Sequence, residues 1–147
     1  MMTLVSLGEI KDALLRIDPI PLIEEGFKAY SRGEVVVPPI GEMIFEDPPG
    51  DVHIKYGYIK GDEFYVVKLA SGLYDNPKLG LPSSNGMMLL FDLRTGEPRA
   101  ILHDECLLTN IRTAVAGAAR RSTWRRRGSS EPVSWARAPR GDFSSSI

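Results

Sequence analysis

The sequence predicts an α+β fold: N-terminal helices, then an antiparallel β-meander, then an Ala-rich helix. Three observations carry it. Apolar residues recur at steps of three and four near the start. The spacing then changes to alternation, in runs divided by Gly, Pro and Asp. Leu107 to Ala119 returns to a helix-like composition. Segregated helices and strands argue against a doubly wound parallel sheet.

Leu7, Ile10, Leu14 and Ile17 mark one apolar helical face over residues 7–17. Asp18-Pro19 and Pro21 interrupt it, since a residue before proline leaves helical geometry. A second helix is expected from Leu22 to Tyr30, with Ser31-Arg32-Gly33 as its stop. Val35-Val36-Val37 is a strand ended by Pro38-Pro39, and Met43-Ile44-Phe45 is a short apolar run. Asp47 to Asp51 is a turn. Val52, Ile54, Tyr56 and Tyr58 alternate with His53, Lys55 and Gly57, the pattern of a half-buried strand. Lys60-Gly61-Asp62 turns the chain, and Glu63 to Ser71 returns as its partner. Met87 to Asp92 and Arg99 to His103 pair around Arg94-Thr95-Gly96-Glu97-Pro98. Asp104 is a candidate N-cap for the last helix. No internal repeat is visible.

The chain has 147 residues, 43% apolar and 25% charged, ordinary for one globular domain. A net charge of −1 gives no basic field for nucleic acid. No apolar run approaches the roughly 18–20 residues of a membrane span. The N-terminus lacks the basic start and apolar stretch of a signal peptide. Cys106 is the one cysteine, so no internal disulfide forms, and the cytoplasm is the expected compartment. Charge is unevenly spread. Residues 1–119 carry 11 Lys/Arg and 17 Asp/Glu, whereas residues 120–147 carry 7 Arg and 2 acids. That last stretch also holds seven Ser, both Trp and no Leu. It divides the chain into a folded domain, 1–119, and a basic tail, 120–147, expected to be disordered for want of apolar burial.

Three places could carry chemistry. Lys68 shares a strand face with Phe64, Val66 and Ala70. It either snorkels at a sheet edge or enters a cavity that needs a cation. The segment Ser71 to Gly86 is long for a strand connection, and Leu73, Leu79 and Leu81 suggest that it packs. Its Ser83-Ser84-Asn85-Gly86 corner either holds a phosphate or carboxylate or is a plain turn. Arg112, among small helical neighbours, either binds a carboxylate or phosphate bidentately or is a surface arginine. His53, His103 and Cys106 lack metal-ligand spacing, and no metal is expected.

Together these residues resemble a family. Lys68, the stretch Gly80 to Gly86, the strand ending Leu89-Leu90-Phe91-Asp92 with Thr95-Gly96-Glu97-Pro98, and Leu108-Thr109-Asn110-Ile111-Arg112-Thr113-Ala114 are similar to the ornithine cyclodeaminase/mu-crystallin family. The resemblance covers about residues 35–119. It implies a substrate-binding and dimerisation domain, followed in the family by a Rossmann domain for NAD or NADP. The implied chemistry moves a hydride on a small amino acid or cyclic imine. In the cyclodeaminase, NAD takes hydride from the substrate Cα, the side-chain amine closes the ring and expels ammonia, and the returning hydride gives proline. The alternatives are a ketimine or pyrroline-carboxylate reductase, an amino-acid dehydrogenase, or a non-catalytic crystallin-like binding module. By resemblance, Lys68 and Arg112 hold the substrate carboxylate, and Ser83, Ser84 and Arg112 lie beside the cofactor. A homodimer through the β-sheet is implied, with no nucleic-acid or membrane partner. The family often has a further arginine clamp where this chain reads Gly41-Glu42-Met43-Ile44. The family's catalytic aspartate and Rossmann domain have no counterpart in the sequence.

The tail has a reading of its own. Joining the third base of each codon to the first two of the next forces a glycine across Trp135-Ala136, since TGG precedes GC. The codons from Val133 to Phe143 then permit Val-Val-Gly-Thr-Gly-Ala-Gln-Gly-Arg-Leu. That is a G-x-G-x-x-G fingerprint after strand-forming valines. Those from Arg121 to Arg126 permit Lys-Tyr-Leu-Ala-Pro, similar to the stretch that leads the family into its second domain. A frameshift near Ala118–Arg121 is therefore expected, the competing reading being a genuine basic tail. With its fingerprint unread, the chain is expected to bind no dinucleotide tightly and to be inactive by itself.

Overall fold

The computed structural model describes residues 1–126, with side chains as far as Gly117. It is α+β, with three helices and one mixed sheet. A three-residue strand, β1 (Thr3–Val5), comes first and pairs parallel with β7 (Pro98–Leu102). The expected meander is therefore not wholly antiparallel. Thr3-Leu4-Val5 is too short to show a period, and only its partner makes it a strand.

Helix α1 (Leu7–Leu14) opens with a capping box: Ser6 Oγ accepts the Glu9 N–H at 3.4 Å, and Glu9 Oε2 accepts the Ser6 N–H at 2.8 Å. It stops three residues short of Ile17. Helix α2 (Pro19–Ser31) begins before the expected Leu22. Prolines in a first turn lose no helical hydrogen bond, and Asp18 caps the turn by accepting the Ile20 N–H at 3.0 Å. The two prolines therefore open this helix rather than block it.

Strands β2 (Val35–Val36) and β3 (Gly41–Phe45) both pair antiparallel with β4 (Gly50–Ile59). From there β4, β5 (Phe64–Leu73), β6 (Ser84–Asp92) and β7 run as a meander, giving the order β1-β7-β6-β5-β4-β2. Gly61 makes the β4–β5 turn at φ +94°, a conformation that costs a side-chain-bearing residue. The register sets Lys55 opposite Lys68 and Lys68 opposite Met88.

The long segment from Ser71 to Gly86 is strand at both ends. β5 continues to Leu73 and β6 starts at Ser84, so the connection is only residues 74–83, built on a 3-10 turn at Asn76–Leu79. The segment does not pack as expected, because Leu79 and Leu81 are exposed. Backbone and side-chain bonds hold it instead: Asn76 O accepts the Leu81 N–H at 3.0 Å, and Asn76 Nδ2 donates to Pro82 O at 3.0 Å.

Helix α3 (Leu107–Arg126) packs against α2 and passes the expected boundary at residue 119. Residues 127–147, most of the expected disordered tail, lie outside the described residues. No described helix is long and apolar enough to cross a membrane.

Candidate functional site

Paired residues of a sheet share a face, so the register assigns the site's residues. One face carries the row Lys55, Lys68, Met88, Leu102. The next row is His53, Ala70, Gly86, and the one beyond is Asp51, Gly72, Ser84. The start of α3 lies over this face.

Asp104 positions that start. Its side chain is 1% exposed. Its carboxylate accepts the Leu108 N–H at 3.0 Å, and its carbonyl accepts the Leu107 N–H at 2.8 Å. The expected capping role is met from just outside the helix. Glu105 and Cys106 follow in the left-handed region, at φ 48° and 64°. Two consecutive non-glycine residues there cost backbone strain, which the surrounding contacts must hold. Cys106 is buried against Gly86. A Cβ at Gly86 would lie 3.0 Å from the Cys106 sulfur and 2.4 Å from the Leu69 carbonyl oxygen. The missing side chain is what lets α3 start this close to the sheet.

Lys68 is half-buried beneath that start, and its Nζ donates to Thr109 Oγ1 at 3.3 Å. Arg112 follows Thr109 by three residues, on the same side of α3, and is exposed. Burial pushes the Lys68 ammonium below the usual lysine range. The positive charges of Arg112 and Lys55 push the same way, while Cys106 and Asp104 oppose them. Burial also pushes the Cys106 thiol up, helped by Asp104 and opposed by Lys68. The bond to Thr109 sets Lys68 beneath α3, about one turn before Arg112. No acid forms an ion pair with Lys55, Lys68 or Arg112 among the described residues.

Ser83 and Ser84 sit further along. Ser84 opens β6, four residues from Met88 on the Lys68 face, about 13 Å along the strand. Ser83 and Ser84 are both exposed, and the Ser83 carbonyl accepts the Leu73 N–H at 2.8 Å. Ser84 occupies the far end of the Lys68 face, Ser83 precedes the strand, and neither hydrogen-bonds to Lys68 among the described residues. Beside them lies an acidic group. His53 Nδ1 is 3.6 Å from Glu42 Oε1, and its Nε2 is 3.7 Å from Asp51 Oδ1. Tyr74 donates its hydroxyl to Asp51.

Lys55 and Thr109 neighbour Lys68, and the alternation pattern passes over both. In β4 it assigns His53 and Lys55 to the polar side without saying what else lies there. The signal that finds Lys55 is the hairpin register: the turn at Lys60-Gly61-Asp62 pairs residue 57 with 66 and so 55 with 68. Thr109 has no signal before α3 is placed.

Known proteins share the sequence pattern and the fold. The Ornithine cyclodeaminase/mu-crystallin family model matches residues 1–129. An uncharacterized cyclodeaminase of Sinorhizobium fredii is 40% identical over 119 residues, covering 80% of this chain and 36% of that one. A solved Thermococcus litoralis Delta(1)-pyrroline-2-carboxylate reductase, in complex with NADH and L-proline, superposes with a TM-score of 0.68. It is 28% identical over 82% of this chain and 36% of its own. An archaeal alanine dehydrogenase dimer with bound NAD gives a TM-score of 0.69 at 25% identity, over 79% of this chain and 35% of its own. The chain spans about a third of the length of the curated relatives it matches.

Proposed function

The chain belongs to the ornithine cyclodeaminase/mu-crystallin family, and from that premise we propose that it is the substrate-binding and dimerisation part of a nicotinamide-dependent enzyme acting on a small amino acid or cyclic imine. The observation that carries this reading is the pairing of Lys68 with Arg112. The two cations, one on a strand and one on the helix above it, form no ion pair among the described residues, and the buried Asp104 that favours a charged Lys68 is bonded to the Leu108 N–H. An α-carboxylate would supply a direct partner. Arg112 offers a planar fork to both oxygens, and Lys68, steadied by Thr109, offers a point charge from the side. Rigid elements on both sides would fix the head group and so aim the substrate Cα.

Ornithine is the substrate that the family name suggests, with proline and ammonia as products. A reductase or dehydrogenase reading stands beside it, because relatives named pyrroline-carboxylate reductase and alanine dehydrogenase match the same region. Both readings use one carboxylate clamp.

The described residues do not by themselves fit a dinucleotide. Ser83, Ser84 and Arg112 could touch one along one side. The cradle such a cofactor needs is a helix N-terminus opened by a Gly-rich turn, and no described helix begins that way: Ser6, Asp18 and the Asp104-Glu105-Cys106 turn precede the three. The described residues alone therefore supply no hydride transfer. We assign the missing cradle to the shifted frame of residues 120–147, and the chain to an enzyme cut short near Ala118–Arg121.

Two measurements test this. The nucleotide sequence across codons 115–147 should contain the shifted fingerprint. NAD and NADP should bind a frame-restored chain and not the 147-residue chain, and only the former should release ammonia from ornithine or reduce a cyclic imine. Micromolar dinucleotide binding by the 147-residue chain would overturn the proposal.

A further inference from the structure

Lys55 is a third cation on the Lys68 face, and the carboxylate clamp does not use it. It lies directly opposite Lys68 across the β4–β5 pair and is half-buried. Side chains so placed have Cβ atoms about 4.5–5.5 Å apart, and like charges there are destabilising. Among the described residues no acid forms an ion pair with either lysine. Glu42, the acid nearest in register, is directed to His53 and forms no ion pair with Lys55. Where a local rule is broken with no ion pair to offset it, a ligand is the natural compensation.

The three cations are also spread out. Arg112 is on α3, Lys68 on β5 and Lys55 on β4, one strand further from the helix. Neighbouring strands are about 4.8 Å apart, so the two ammonium groups stem from separate strands. That spacing suits the two carboxylates of an extended four-carbon diacid better than the two oxygens of a single carboxylate. We infer that the site takes a dicarboxylic substrate, a small amino or imino acid whose second carboxylate is read by Lys55 while Lys68 and Arg112 hold the first. The inference rests on the carboxylate clamp proposed above and adds the substrate class.

Succinate and propionate, titrated into the 147-residue chain and followed by NMR shifts of Lys and Thr109 signals, test it. Succinate should bind about five- to tenfold more tightly than propionate. Lys55→Met should remove that preference and leave propionate binding unchanged, and Lys55→Gln should do the same. Lys60→Met, whose Nζ donates to the Gly33 carbonyl in the native chain, should leave the ratio intact and so exclude a general charge effect. If Lys55→Met weakens both ligands equally, Lys55 is a third clamp on one carboxylate and the dicarboxylic reading is overturned. Equal binding of the two acids by the native chain overturns it as well. If neither acid binds, or Lys68→Met changes nothing, the clamp itself is wrong and the inference falls with it.

Discussion

Gly86 shows how much one missing side chain supports. It sits under the strained Glu105-Cys106 turn, and its backbone faces the Leu69 carbonyl across the β5–β6 pair. Gly86→Ala would place a methyl 2.4 Å from that oxygen, which is rigid backbone, and 3.0 Å from the Cys106 sulfur. Either the strand pair opens or α3 lifts away. We expect a loss of about 2–3 kcal/mol, read as a lower urea midpoint. Gly26→Ala is the control. It has open space inside α2 and should be neutral or stabilising by up to about 1 kcal/mol. An unchanged midpoint for Gly86→Ala would mean that α3 does not start where described. Lys68 and Arg112 could be proposed from the sequence as anion-seeking residues because their types and local neighbours restrict what they can do. Lys55 could not, since its meaning lies in a partner thirteen positions away that only a register can supply.

Elements with strong local signals were the most legible. The β6–β7 turn shows why, since Asp92 organises it locally. Its Oδ1 accepts the Arg94 and Thr95 N–H groups, both at 2.9 Å, and its Oδ2 pairs with Arg99 at 2.7 Å. The Arg99 contact is the largest cause, followed by the backbone donors, holding this carboxyl well below the usual range. A carboxyl depressed in the folded state contributes stability above its unfolded pKa, and that contribution is lost as pH falls through the folded value. Asp92→Asn should therefore lower the melting temperature at pH 7, and the gap to the native chain should shrink below about pH 4. A gap constant from pH 7 to pH 2.5 would refute the role. The elements that were not legible depend on distant partners. β1 exists because Ala100 to Leu102 complete it. The early start of α2 depends on the Asp18 side chain turning two prolines from breakers into a first turn.

At the scale of the molecule, the unusual feature is how little is enclosed. Ile10, Ala29 and Cys106 are the only fully buried hydrophobic residues described. The sheet face opposite Lys68 is apolar from edge to edge. One row reads Leu4, Ile101, Leu89, Val67, Tyr56, and the next adds Met87, Leu69 and Ile54. Tyr65 stacks on Phe91 at 4.9 Å beside them. Leu4 is 66% exposed, Tyr56 43% and Ile54 37%. A contiguous apolar surface of this kind marks an interface rather than a solvated face. A second copy is the occupant we propose, because a two-fold axis through one apolar sheet face sets the same residues against themselves. The chain should then sediment as a dimer at tens of micromolar. Tyr56→Lys puts a like charge on both sides of the axis, while the side chain it replaces is already substantially exposed in the single chain. It should shift the protein to monomer while the far-ultraviolet circular dichroism remains that of the folded chain. The clamp lies on the opposite face, so carboxylate binding should persist in that monomer. A native chain that sediments as a monomer, or a Tyr56→Lys variant that remains dimeric, would remove the sheet face as the interface and leave the clamp to be judged by its own titrations.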